Sequence, residues 1–378
     1  MRTFYDVGDA LFAVEEVSNL FFVYDCGSNS NNQAKAAIER AFPVQGQTVE
    51  AVFISHFDRD HINGVHFLLS HCKVKVLILP LLPPFAAFYL LHENELSDED
   101  RDFILNTVNY VGEKSRDTRI IHILDSDETT NSDQISASIS DLASKNSTVE
   151  NYPSGLRINL YSENWMFIPW NIQIMSEDQK RHFIDKFKSL CIENDIEPED
   201  IQGLWKKIEL CEDSGPHRDN MLKKAVADFI ERLKGHDINS LSLTLYSGPI
   251  EPEFAGKIGC LYLGDYNAKK FFSKLKDAYN SVWSSIGLIL VPHHGSPENY
   301  NPDLIDENTL SVVSLKLPAT NKKRYNTLNE ILQKKGIILA TGYRGDVKIT
   351  HMVLTSKTGT FHKLLLCDDK GECYYGVM

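Results

Sequence analysis

Residues 54–64 read Ile54-Ser55-His56-Phe57-Asp58-Arg59-Asp60-His61-Ile62-Asn63-Gly64, and the reading of this stretch decides the fold. Two imidazoles and two carboxylates fall within six residues. Directly before them stands the apolar run Ala51-Val52-Phe53-Ile54, most simply a buried strand. After them Ile62, Val65, Leu68 and Leu69 recur at helical spacing. The polar cluster therefore sits at a strand-to-helix turn, where open α/β sheets place their chemistry. Two carboxylates held this close repel by roughly 4 kcal/mol at about 4 Å and an effective dielectric near 20. A divalent cation removes that cost, and imidazole plus carboxylate is a suitable donor set for zinc, manganese or iron. A merely solvated turn would not have its two ends buried by apolar flanks.

The rest of the chain bounds what such a site can serve. The 378 residues suffice for one large core or two modest ones. The net charge of −13 argues against a surface that grips nucleic acid all over by counterion release, though not against a local basic site. Seven scattered cysteines without a C-x-x-C pair read as reduced, mostly buried thiols. Cys26, beside Asp25, is the one worth watching, with a packed thiol the simpler reading. No run of 18 apolar residues occurs, and the N-terminus has no signal-peptide pattern, so a cytoplasmic protein is expected.

Taken in order, residues 2–27 predict two strands, Phe4–Val7 and Leu20–Tyr24, the second running into Asp25-Cys26-Gly27. A short helix over 34–41 and a strand over 74–79 follow. The stretch 83–150 reads as an acidic helix and loop insertion. It opens with helices that include a capping-box-like Ser97-Asp98-Glu99-Asp100 and holds a strand near 120–124. From 93 to 150 there are 14 acids against 5 Lys plus Arg, the mark of a solvated face. A helical insertion over 176–236, with no metal-ligand spacing, caps the core or mediates self-association or a protein partner. The sheet resumes at 241–246 and at Gly259–Leu263, which ends in Gly264-Asp265. A helix over 271–283 and a buried strand over 286–291 lead into Pro292-His293-His294-Gly295-Ser296. Adjacent imidazoles at a strand exit, downstream of a strand-end Asp, are far more specific than a lone histidine.

Three ordered segments resemble the metallo-β-lactamase-fold hydrolases: Ser55-His56-x-Asp58-x-Asp60-His61, then Leu263-Gly264-Asp265, then Pro292-His293-His294-Gly295-Ser296. Asp at the third position of the first signature most resembles the soluble hydrolase domain of the bacterial DNA-uptake (competence) channel protein, the ComEC type. The resemblance covers residues 1–80 and about 236–350. It implies one α/β domain over 1–378, a four-layer αββα sandwich with the helical insertion added. It also implies that Asp25 orients the metal-binding loop without binding metal, with Asn239 and Ser296 in similar supporting places. Departures exist: the opening Asp6-Val7-Gly8-Asp9-Ala10 is short, and a third histidine ligand has no counterpart, with Asn239 or His236 lying about where it would fall.

The expected centre holds two divalent ions, Mn2+ or Zn2+, about 3.5–4 Å apart. His56 and Asp58 would hold one; Asp60, His61 and either His293 or His294 the other; Asp265 would bridge. Asp60 and Asp265 are the carboxylates assigned to catalysis. A water with its pKa lowered from 15.7 to roughly 7 would be the nucleophile. From Lys316 to Lys348 there are 8 bases and 2 acids, and Lys322, Lys323, Arg324 and Tyr325 form an expected basic substrate loop. Together they suit a phosphodiester, nucleic acid or nucleotide, through charge neutralisation and base stacking. Two other readings are hydrolysis of a small acyl substrate, which needs no basic loop, and a metal-stabilised scaffold that binds a partner without catalysis.

Overall fold

The computed structural model describes residues 1–93, 96–126, 135–144, 148–172, 174–198, 200–213, 219–234, 241–251, 256–307, 309–316, 322–333, 337–341, 345–356, 359–367 and 373–374. Their strands form two sheets. Across the ten-stranded first sheet the order is Cys373–Tyr374, Gly359–Cys367, Val347–Ser356, Arg2–Phe4, Phe12–Val17, Leu20–Cys26, Thr48–Phe53, Lys73–Pro80, Arg119–Ile123 and Val149–Tyr152. The eight-stranded second sheet runs Ile337–Ala340, Leu310–Val313, Ile286–Leu290, Gly259–Tyr262, Leu243–Pro249, Trp165–Asn171, Arg157–Leu160 and Ser136–Ser138. Each sheet mixes antiparallel and parallel pairing; Leu20–Cys26 through Val149–Tyr152 and Gly259–Tyr262 through Ile337–Ala340 are parallel runs, and Ser136–Ser138 also pairs in parallel with Arg157–Leu160.

Period-two alternation explains the layering. In Lys73–Pro80, Val76 and Ile78 face the second sheet, while Leu77 and Leu79 face outward into helices. In the second sheet Cys260, Tyr262, Leu288 and Leu290 point inward, and Leu261, Leu263, Ile289 and Val291 outward. Sheets covered on both faces need apolar side chains at nearly every position, which is why these strands read as continuous runs rather than as alternating ones. The helices Asn31–Ala41, Val65–His71 and Pro84–Glu93 cover the first sheet; Ala268–Ala278 and Lys322–Gln333 cover the second. The expected αββα sandwich is the architecture found.

Several local expectations change. Residues 2–27 hold three strands, not two: Phe12–Val17 was not foreseen, and Tyr5–Val7 is loop. The region 83–150 is not simply an addition, because Arg119–Ile123 and Val149–Tyr152 are strands of the first sheet. Its capping box is present, with Ser97 accepting from the Asp100 N–H and Asp100 accepting from the Ser97 N–H. Helices Glu177–Ile192, Ile201–Asp213 and Asp219–Leu233 pack on Pro84–Glu93, so Phe183, Phe187 and Phe229 extend the outer core of the first sheet. Cys26, Cys72, Cys191 and Cys260 are buried free thiols, but Cys367 is disulfide-bonded and faces Cys373 across the strand pair. That departs from the expectation of reduced thiols throughout. Among the described residues no helix is long and apolar enough to cross a membrane.

Candidate metal centre

The site is built where strands of both sheets end. Thr48–Phe53 continues as Ile54, whose N–H donates to Ile78 O (2.9 Å), before the chain leaves the sheet at Ser55. Asp58 sits in extended conformation at the start of the four-residue helix Arg59–Ile62. The expected single helix is interrupted at Asn63-Gly64 and restarts as Val65–His71. Contacts to the preceding loop hold this break. Asn63 accepts from Ser28 N–H (2.9 Å) and donates to Ser28 O (2.7 Å), and the Gly64 N–H donates to Cys26 O (2.8 Å). Gly27 has no room for a side chain: a Cβ there would lie 1.8 Å from Asp60 O and 2.4 Å from His61 N.

His56, Asp58, Asp60, His61, Asp265, His293 and His294 come together at this edge. His56 Nε2 lies 3.6 Å from Asp58 Oδ2 and 3.7 Å from Asp265 Oδ2. His61 Nε2 lies 3.4 Å from Asp265 Oδ1 and 3.7 Å from Asp60 Oδ2. His294 Nε2 approaches Asp60 Oδ2 at 3.1 Å, and His293 Nε2 approaches Asp265 Oδ2 at 3.6 Å. Two donor groups, His56–His61–Asp265 and Asp60–His61–His294, each have ligand atoms within 4.8 Å of one another.

The opposite ring nitrogens are all engaged, and that fixes which way the imidazoles face. His61 Nδ1 is 2.7 Å from Asp25 Oδ2. Asp25 also accepts from the Ser55 N–H and the Ser55 hydroxyl, both at 2.6 Å. With its proton given to Asp25, the Ser55 hydroxyl accepts from His56 Nδ1 (2.9 Å). His294 Nδ1 donates to Ser314 O (3.0 Å). Each of these three rings therefore carries its proton on Nδ1 and turns Nε2 inward, the tautomer a ligating imidazole needs.

Charge and burial test whether a cation fits. His56 Nε2, His61 Nε2 and Asp265 Oδ1 are buried without a hydrogen-bond partner, a costly arrangement unless something else satisfies them. Burial alone would lower the pKa of His61, but the carboxylates of Asp60, Asp25 and Asp265 hold it well above the ordinary value. Burial would likewise raise Asp60, yet His61 and His294 pull it down to about 2. Asp265 is buried too and is held well below the usual carboxylate range by His293, His61 and His56. The acids thus favour the charged forms of His56 and His61, and a divalent ion would supply the same positive charge to the same atoms. The donor set fits such an ion.

Backbone strain concentrates here as well. Asp25, His293 and His294 have φ of 54°, 49° and 51°, left-handed conformations that cost a non-glycine residue about 1–2 kcal/mol. Such strain persists only where the surroundings over-determine it.

Not every expected residue stands at the centre. Ser296, expected to support the cluster, donates its hydroxyl to Glu298 (3.0 Å). Lys322, Lys323, Arg324 and Tyr325 are not a loop: they open the helix Lys322–Gln333, which packs beside the Pro292–Gly295 turn. Asn239 and the substitute His236 lie outside the described residues. Reading the sequence missed the roles of Ser55, Ser314 and Asn63. It also missed Ser242, which accepts from the Asp265 N–H (3.2 Å), and Asn299, which donates to Asp265 O (2.9 Å). The Ser before His56 was the only one of these with a visible signal, its place in the signature.

Comparison with a family model agrees with the architecture. Residues 7–131 match the family model described as the metallo-beta-lactamase superfamily. Human tRNase Z, short form, is a similar solved structure: 10% sequence identity, 90% of this chain and 92% of that one covered, TM-score 0.36. That likeness is too loose to speak to activity. No curated protein matches the sequence.

Proposed function

We propose that the protein is a metal-dependent hydrolase of phosphodiester bonds, acting on nucleic acid or a nucleotide. The observation that carries the reading is the convergence of unpartnered, buried His56 Nε2, His61 Nε2 and Asp265 Oδ1 from both sheets on one point. His56, Asp58 and Asp265 would hold one divalent ion; Asp60, His61 and His294 the other, with Asp265 shared. His293, 41% exposed on its side chain, is left at the mouth, where it can meet substrate or a departing group. Bound ions of this kind polarise a phosphoryl oxygen and make water acidic enough to attack at neutral pH. The chain's own contribution is to hold the donors dry, pre-oriented and correctly protonated through Asp25, Ser55 and Ser314.

The donor set includes more carboxylate than histidine-rich relatives would, which favours manganese over zinc. The phosphodiester assignment is supported by Lys322, Lys323 and Arg324, which belong to the helix Lys322–Gln333 that packs beside the histidine turn. The narrower resemblance to the DNA-uptake hydrolase domain is part of this proposal and rests on the three quoted segments.

The test is metal analysis of the purified protein together with hydrolysis of bis(p-nitrophenyl) phosphate and of a labelled oligonucleotide. We expect bound divalent metal, chelator-sensitive turnover, and loss of at least about 100-fold in kcat for Asp265→Asn. Absence of metal, or turnover that survives both chelation and Asp265→Asn, overturns the reading.

A further inference from the structure

The two side chains that meet at 3.1 Å in the second donor group, Asp60 and His294, come from opposite sheets. Core packing sets the distance between sheets only broadly, whereas paired ligands must be placed to tenths of an ångström. Something at the mouth has to fix that spacing.

One short segment contacts both sides. The Leu11 N–H donates to Asp60 O (3.1 Å), and Leu11 O accepts from the Gly27 N–H (2.8 Å). The neighbouring carbonyl, Ala10 O, accepts from the Ser314 hydroxyl (2.5 Å), and Ser314 O is the acceptor for His294 Nδ1. Asp9 Oδ1 adds a bond from the Lys316 N–H (2.9 Å). Ala10, Leu11 and Ser314 are all buried, so these bonds do not compete with water. A chain of hydrogen bonds therefore runs from Asp60 through Leu11 and Ala10 to Ser314 and on to the His294 ring.

We propose that the Ala10-Leu11 peptide is a strut that sets the spacing between Asp60 and His294. Ser314 is then a positioning residue for the cation held by Asp60, His61 and His294. The proposal rests on the metal reading above for its functional meaning. The strut itself stands on hydrogen bonds that exist without metal. The Ser314 carbonyl holds His294 in place only while the Ser314 hydroxyl keeps that peptide registered on Ala10.

The test uses the full chain with Ser314→Ala, Ser314→Thr and, at a less buried link, Asp9→Ala. In Ser314→Ala the affinity for the second of two manganese ions should fall by about 10–100-fold, leaving the first in place, and Ser314→Thr should restore it. Asp9→Ala should show a smaller loss of the same kind. Without added metal, the Nδ1–H resonance of His294 should shift and exchange faster in Ser314→Ala and Asp9→Ala, and not in Ser314→Thr. A role in folding alone would lower Tm while leaving both readouts at wild-type values, and that result overturns the strut. If Ser314→Ala does not fold, Asp9→Ala decides by the same resonance. Wild-type protein that takes up no divalent ion sinks the metal reading instead, and the strut is then judged on the His294 resonance.

Discussion

Asp25 has no exposure to solvent and receives three donors at once, Ser55 N–H, Ser55 hydroxyl and His61 Nδ1. Asn is nearly the same shape and tolerates the left-handed backbone that Asp25 adopts, so Asp25→Asn isolates charge and hydrogen bonding from strain. One of its two carboxyl oxygens becomes an NH2 that faces donors. We expect a loss of about 2–4 kcal/mol in urea unfolding and weaker metal uptake, because the His61 ring is no longer held. Unchanged unfolding and unchanged metal binding in Asp25→Asn would remove Asp25 from the site's support. At this scale the sequence was most legible where charge crowding cost energy. Asp58, Asp60 and His61 announce themselves because adjacent charges need a reason. Ser55 and Ser314 do not, since a neutral hydroxyl is equally at home in any turn, and only its neighbours in space reveal that one organises two imidazoles and the other registers a third.

The strand-to-helix turn is the element on which the centre depends, and Gly27 is its tightest point. Gly27→Ala would drive a Cβ into the backbone of Asp60 and His61, and backbone cannot rotate away as a side chain can. The expected outcome is a fall in Tm of several degrees with loss of metal binding, read by circular dichroism and metal analysis. Gly46→Ala serves as the control: its φ of 81° makes it strained, but its Cβ would meet only the Lys73 side chain at 4.0 Å, so Tm drops and metal binding stays. Elements rich in β-branched and aromatic residues were readable from periodicity. Phe12–Val17 was not, because Glu15 and Glu16 break its apolar pattern, and Glu15 is buried all the same. The charge of Lys322, Lys323, Arg324 and Tyr325 suggests a loop, yet they open a helix in which Thr327 and Ile331 are buried.

Across the whole molecule the sheets are tied by a charged group inside the sandwich. Arg2 Nε lies 3.2 Å from Glu15 Oε2, and Glu15 also accepts from Trp165 Nε1 (3.1 Å), Ser247 Oγ (2.8 Å) and Tyr262 OH (3.0 Å). Arg2 donates to Ile258 O and Ser247 O, both at 3.1 Å. Glu15→Gln leaves the guanidinium buried without its counter-charge and should cost about 3–5 kcal/mol, whereas Arg2→Met with Glu15→Leu should recover most of it. Urea unfolding measures both; a Glu15→Gln protein as stable as wild type would show that the pair does not hold the sheets together. The chain's ends meet in the same sheet: Arg2–Phe4 pairs with both Phe12–Val17 and Val347–Ser356, a closure between residues more than 340 apart. Residue order alone was enough for most strands and helices and for the crowded acids and imidazoles that mark a candidate cation site, because hydrophobic period and like-charge repulsion act between neighbours along the chain; the layered α/β class was implied by the resemblance of the three segments. Only the tertiary structure decided which imidazole nitrogen faces inward, which serine supports it, and where the basic segment lies. Those depend on hydrogen bonds between groups that chain order leaves far apart and that folding alone brings within 3 Å.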